Sequence, residues 1–149
     1  MRLALGADEA TALTDALARD LRERGHDVML VGPVGEDGGE GKQWAEVGHD
    51  VGELVARGDV DTAVVCCWTG TGVAIAANKV PGVRAALCTD AATAAGARRW
   101  NDANVLVMGL RLTSADVARE MLDAWFATDP DPAEAANIAR LESGLPPGA

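Results

Sequence analysis

Apolar residues along the chain fall into short unbroken runs separated by stretches in which they recur every three or four positions. Arg2 to Gly6, Asp27 to Val31, Thr62 to Cys67, Val83 to Leu87 and Val105 to Gly109 are runs of strand length, and several lack the alternation of a half-exposed strand. Such runs read as strands buried on both faces. Between them lie amphipathic or alanine-rich segments. Leu13, Leu17 and Leu21 give a helix over residues 11–24 closed by Gly25, and a second runs from Trp44 to Arg57, stopped by Gly58. Others are read over Val73 to Lys79 and Ala91 to Arg99, and from a cap at Ser114 through Ala127. Asp129-Pro130-Asp131-Pro132 breaks the chain before a short C-terminal helix over about 132–143. Strands and helices alternating in this way predict one α/β domain over residues 1–149. Its five-stranded parallel sheet is doubly wound, with helices on both faces and right-handed crossovers. Gly35 to Gly41 is too glycine-rich and acidic to pack and reads as an exposed flexible loop, and Leu145 to Ala149 as a frayed tail.

A length of 149 residues suits one hydrophobic core. No apolar run reaches membrane-spanning length, and the opening MRLALGADEA turns acidic too early for a signal peptide, so a cytoplasmic protein without a membrane partner is expected. The formal net charge of −10 argues against nucleic acid as a partner. Three cysteines, none in metal-ligand spacing, fit reduced thiols and give no reason to expect a metal or other cofactor.

The chemistry is concentrated in Val64 to Asn78, VVCCWTGTGVAIAAN, where a buried strand stops at Cys67 and a glycine-threonine turn leads into a helix. Ligands of doubly wound sheets bind at the carboxyl ends of strands. Unpaired N–H groups of the helix beginning near Gly72 would hold an anion or oxyanion there and stabilise a thiolate. The plainer reading is that Cys66, Cys67 and Cys88 are small core residues, and alternation along the strand lets only one of the first pair face the loop. Gly70-Thr71-Gly72 lacks the third glycine of a dinucleotide fingerprint, and Lys79 lacks P-loop spacing. Other strand ends bring Asp8, Asp90 and Arg111, with Trp100-Asn101-Asp102-Ala103-Asn104 before the fifth strand; a shared edge would make these more than helix caps.

Three motifs carry a resemblance: CWTGTG from Cys67 to Gly72, IAANKVPGVRAALCTD from Ile75 to Asp90 and NDANVLVMG from Asn101 to Gly109. With GADEA near Gly6 they resemble the ribose-5-phosphate isomerase B and galactose-6-phosphate isomerase family, over most of the chain to about Thr128. The resemblance implies a Rossmann-like aldose-ketose isomerase that works through an enediolate, as a homodimer or dimer of dimers with sites shared between subunits. It puts the family's base on Cys67, its oxyanion loop on Thr69, Gly70, Thr71 and Gly72, and its conserved acid on Asp8. The C-terminal helix over about 132–143 is expected at the dimer interface.

Several positions depart from the family pattern. Glu9 replaces a histidine, Trp44 stands at a tyrosine position, Trp68 replaces a glycine, and Trp100 replaces the histidine that helps open the sugar ring. Glu134 and Ile138 stand where two phosphate-holding arginines are expected, while Arg111 and Arg140 remain. Losing cations and gaining carboxylates disfavours a phosphate dianion. Trp44, Trp68 and Trp100 suggest an apolar wall for a sugar face, with Asn101, Asp102, Arg111 and Glu9 as further substrate contacts; the alternative is that the tryptophans only fill volume. Three readings follow: an isomerase for a sugar or sugar-derived substrate other than ribose 5-phosphate, an ordinary ribose-5-phosphate isomerase, and a non-catalytic sugar-binding or regulatory homologue.

Overall fold

Strands apolar at every position can be satisfied only between two helical layers, and the chain builds that arrangement. The structure, a computed structural model, describes residues 1–35 and 38–143. In chain order the elements are β1 (Arg2–Ala7), α1 (Ala12–Glu23), β2 (Asp27–Val31), α2 (Trp44–Ala56), β3 (Thr62–Cys67) and α3 (Thr71–Asn78). There follow β4 (Ala85–Leu87), α4 (Ala91–Asn101), β5 (Val105–Gly109), α5 (Ala115–Ala127), a 3-10 turn (Pro132–Glu134) and α6 (Ala135–Ser143). The sheet is entirely parallel in the order β2-β1-β3-β5-β4, as the alternating pattern predicts.

Every residue of β3 and β5 is buried. One face packs Leu3, Leu5, Leu106 and Met108 against α1, α4 and α5 through Leu17, Leu21, Ala94, Met121 and Leu122. The other packs Ala4, Val65 and Val107 against α2 and α3 through Val47, Val51, Val73 and Ala77. Trp125 is core, and its indole N–H donates to Thr62 Oγ1 at 3.2 Å, so its polar edge is satisfied. Thr11, Asp90 and Ser114 cap α1, α4 and α5 with side-chain oxygens.

Several boundaries differ from the sequence reading, three of them with identifiable partners or backbone causes. β4 begins at Ala85 instead of Val83, because the Arg84 N–H donates to the Asn104 side-chain oxygen at 2.7 Å and leaves the strand ladder. α3 begins at Thr71, two residues early, since Gly70 takes a left-handed φ of 79° and is itself the cap. α4 runs on through Asn101, held by the Arg98–Asp102 ion pair at 2.9 Å. The Asp102-Ala103-Asn104 segment therefore enters β5 at the amino edge of the sheet, where the Asn104 carbonyl accepts from the Ala63 N–H and Thr62 Oγ1. It does not share the carboxyl edge with Cys67, which corrects the single-edge constellation expected from sequence.

Of the glycine-rich loop, the positions 38–41 are exposed while 36–37 lie outside the described residues, as does the tail from Leu145 to Ala149. Among the described residues no helix is long and apolar enough to cross a membrane.

Gly48 lets α2 and α3 approach closely, for a Cβ there would stand 2.7 Å from both the Val73 carbonyl oxygen and the Ala76 Cβ. Gly48→Ala is expected to destabilise the fold by about 1–3 kcal/mol in denaturant titration. Gly41→Ala, where a Cβ meets nothing within 4 Å, is expected to stay within about 0.5 kcal/mol of the parent.

Candidate active site

The strand order reverses direction between β1 and β3: from β1 the chain winds outward to β2, then returns to place β3 on the other side. The crevice at such a switch point is where doubly wound sheets bind ligands. The parallel register pairs Ala7 with Cys66, so the next residues on the two strands, Asp8 and Cys67, emerge side by side at the carboxyl edge. Cys67 is 5% exposed and belongs to the core layer of α2 and α3, whereas Cys66 belongs to that of α1 and α5. Asp8 Oδ1 is buried and has no hydrogen-bond partner. A buried acceptor left unmade is costly in a folded protein, and at a ligand crevice it marks where a hydroxyl donor belongs.

The loop after β3 supplies the complementary donors. Gly70 is the cap of α3 and has no side chain to satisfy the first turn, while the first helical carbonyl bond is made by the Ala74 N–H to Gly70. The N–H groups of Thr71, Gly72 and Val73 are thus free of helical partners and sit at the positive end of the helix dipole. Close approaches fix this loop. A Cβ on Gly70 would lie 2.5 Å from Leu87 Cδ1, and one on Gly109 would lie 2.8 Å from the Thr69 carbonyl oxygen. The Arg111 N–H also donates to the Trp68 carbonyl at 2.9 Å. Thr69 Oγ1 and Thr71 Oγ1 are 2.8 Å apart. Leu87 and Gly109 were missed as parts of the site, although a glycine ending a buried strand is the kind of signal that marks a close backbone approach.

Two of the three candidate tryptophans stand at this edge. Trp44 opens α2 with its ring against Gly72, where a Cβ would come within 2.7 Å of the indole, and Trp68 is exposed in the loop itself. Glu9 and Arg111 are exposed beside the ends of β1 and β5. Trp100 and Asn101 lie elsewhere, in the last turn of α4, and the Trp100 ring folds back over Gly96. A cavity of about 640 Å³ flanks β4 there, lined by Leu87, Cys88, Asp90, Thr93, Gly96 and Trp100. Asp102 is engaged with Arg84 and Arg98 at the amino edge, and Arg84 also pairs with Glu142 of α6. One chain therefore brings together Asp8, Glu9, Trp44, Cys67, Trp68, Thr69, Gly70, Thr71, Gly72 and Arg111, but not Trp100, Asn101 or Asp102. Among the described residues no group of three or more His, Cys, Asp or Glu side chains is placed to hold a metal ion.

With this geometry established, comparisons with known proteins converge. The Ribose/Galactose Isomerase family model matches residues 3–143. D-erythrulose-4-phosphate isomerase 2 of Mycolicibacterium smegmatis is 36% identical over 144 residues, 95% of this chain and 93% of the relative. Ribose-5-phosphate isomerase B of Escherichia coli is 34% identical over 126 residues, 84% and 83% of the two chains. The solved structure of the type B ribose 5-phosphate isomerase of Trypanosoma cruzi superposes with a TM-score of 0.84 at 35% identity, covering 95% of this chain and 94% of that one.

The three cysteines are free, and their environments differ. Burial pushes the Cys66 thiol up to about 12, reinforced by the charges of Cys67 and Asp8, and burial with the nearby Asp90 charge pushes Cys88 up to about 11. Both shifts favour the protonated thiol near neutral pH, which with burial makes alkylation slow. Iodoacetamide at that pH, followed by peptide mass mapping, is expected to leave both unmodified in the folded protein and to label them only after unfolding. Rapid native labelling of Cys66 would contradict its assignment to the closed face.

Proposed function

The chain belongs to the ribose/galactose isomerase family, and on that premise we propose that it interconverts an aldose and a ketose other than ribose 5-phosphate, with Cys67 as the base. The observation that carries the reading is the buried, unpartnered Asp8 oxygen, which follows β1 where the paired strand β3 ends at Cys67, on the same edge of the sheet from which α3 begins. In the proposed reaction Cys67 removes the proton from the carbon next to the carbonyl and returns it to the neighbouring carbon. The enediolate oxygen formed between these steps lies against the N–H groups of Thr71, Gly72 and Val73, while Asp8 accepts a hydrogen bond from a substrate hydroxyl.

The substrate is proposed to be open-chain and four carbons long. A four-carbon aldose substituted at O4 has no hydroxyl left to close a furanose ring, so it needs no ring-opening group. Trp100 occupies the position where the family resemblance implies that group, and an indole N–H donates a hydrogen bond without exchanging protons near neutral pH. The D-erythrulose-4-phosphate isomerase among the relatives supports the same length. Arg111, exposed at the carboxyl edge, is the cation available to a terminal anion. Glu134, at the position of an expected arginine, is instead hydrogen-bonded to Asn137.

A second copy of the chain is proposed on the flank of β4. Ile75, Leu87, Trp100 and Leu141 are exposed there at 61, 38, 54 and 61%. Ile75 precedes Asn78 by three residues, and the Asn78 side chain bonds both backbone groups of Ala85, so this face of α3 borders β4. A symmetric pairing through this face would offer Trp100 of each chain to the site of the other.

Two measurements test these proposals. Hydrogen exchange with deuterated solvent on D-erythrulose 4-phosphate is expected to vanish in Cys67→Ala and persist in Cys66→Ala, and kcat/KM for D-ribose 5-phosphate to stay below about 10⁴ M⁻¹s⁻¹. Equal behaviour of the two cysteine variants, or efficient ribose 5-phosphate turnover, would refute the respective claim. Light scattering at micromolar concentration is expected to give a dimer, and Trp100→Glu a shift toward monomer with loss of activity. A monomeric parent protein would sink the shared-site proposal.

A further inference from the structure

Isomerisation moves two protons, and the site described so far accounts for only one of them. As an aldose becomes a ketose, the carbon-bound proton passes from C2 to C1 and the hydroxyl proton must pass from O2 to O1. Cys67 handles the first. We propose that Thr69 and Thr71 carry the second, as a two-hydroxyl relay; the proposal rests on the isomerase reading above.

The two Oγ1 atoms are 2.8 Å apart, and both residues are exposed at the carboxyl edge. Their hydrogen bond is not a helix cap. Gly70 occupies the cap position between them, and α3 receives no side-chain cap bond. Between two exposed hydroxyls that water could satisfy equally well, such a bond adds little to stability. The loop that presents them is held from both sides, with the Gly109 backbone against the Thr69 carbonyl and the Trp44 ring against Gly72. Threonine branching at Cβ further limits where each oxygen can point. The loop that carries the pair is therefore held in place by its surroundings, and the side-chain hydrogen bond of each hydroxyl is to the other.

A hydroxyl both donates and accepts, which a relay requires. The vicinal oxygens of a cis-enediolate are themselves about a hydrogen bond apart, so four oxygens can close a ring: O2, Thr71 Oγ1, Thr69 Oγ1 and O1. The O2–H proton passes to Thr71, the Thr71 proton to Thr69, and the Thr69 proton to O1. Three O–H bonds break and three form, both threonines end as neutral hydroxyls, and no charge is created. The reverse reaction runs the same cycle backwards. Without it, the intermediate would exchange its hydroxyl protons through water, allowing the abstracted carbon proton time to wash out.

The test separates the two proton movements. Parent protein, Thr71→Val and Thr71→Ser would be followed by proton NMR in deuterated water with D-erythrulose 4-phosphate, D-erythrulose and D-ribose 5-phosphate, recording both carbon-bound hydrogen exchange and aldose–ketose conversion. Valine keeps the branched shape without the hydroxyl. Conversion by Thr71→Val is expected to fall by about 10²-fold while exchange persists, so that the ratio of exchange to conversion rises by a similar factor, and serine to restore it. An unchanged ratio in Thr71→Val, on a probe that the parent protein exchanges and converts, would overturn the relay while leaving the isomerase reading intact. A parent protein that neither exchanges nor converts any of the three probes would overturn that reading and the relay with it.

Discussion

The pairing of β1 with β3 is the interaction on which the site depends. Neither strand is at an edge of the sheet, and their parallel register, Ala7 on Cys66, decides that an acid and a thiol leave the sheet as neighbours. A shift of the register by one residue would carry the side chains of one strand to the opposite faces, exchanging the environments of Cys66 and Cys67. Burial on both faces makes that shift costly, since Leu3, Leu5, Val64 and Val65 are completely inaccessible. The hydrophobic core thus fixes more than stability. It sets which cysteine faces the crevice.

Around that pair the fold leaves polar groups unfinished where chemistry can use them. The Asp8 oxygen and the first N–H groups of α3 are the kinds of group that a folding chain normally satisfies, and an unmade bond to a buried acceptor costs about 1–3 kcal/mol. A polyhydroxylated carbonyl compound brings both donors and acceptors, and so can complete groups of both kinds. The overall charge of −10 acts in the opposite sense on anionic ligands, and Glu9 adds to it locally. Attraction of an anion to this site must therefore be short-range, through N–H groups, the dipole of α3 and Arg111, and such contacts are less sensitive to salt than a surface field.

Much of the architecture was legible in the residues because its signals are local. The strands Asp27–Val31, Thr62–Cys67 and Val105–Gly109 coincide with their apolar runs, and the cap at Ser114 and the helix through Ala127 follow from the capping oxygen and the apolar spacing. The misplaced boundaries were set by partners distant in sequence: Asn104 withdraws Arg84 from β4, and Arg98 with Asp102 extends α4. The placement of the candidate residues at one edge was also readable for Asp8 and for Cys67 to Gly72, because Asp8 directly follows the first strand and Cys67 ends the third just before the turn into α3. The error lay in treating every polar stretch beside a strand as part of one edge. A residue that precedes a parallel strand is at the opposite end from one that follows it, and Asp102 and Asn104 precede β5.

That same topology bears on why Trp100 sits where it does. α4 starts at the carboxyl edge with Asp90 and runs back for 11 residues, about 16 Å of helix, so its last turn lies far down the flank of the sheet. The ring is half exposed, stands against Gly96 and borders the cavity beside β4, leaving part of its apolar surface open to solvent. Burying such a surface against solvent-excluding neighbours favours association. In a two-fold arrangement the amino-to-carboxyl direction of the partner sheet can be reversed, so a group remote from the site of its own chain can stand at the site of the other. Within one chain the tryptophans are thus divided, Trp44 and Trp68 at the carboxyl edge of the sheet and Trp100 on the flank of β4.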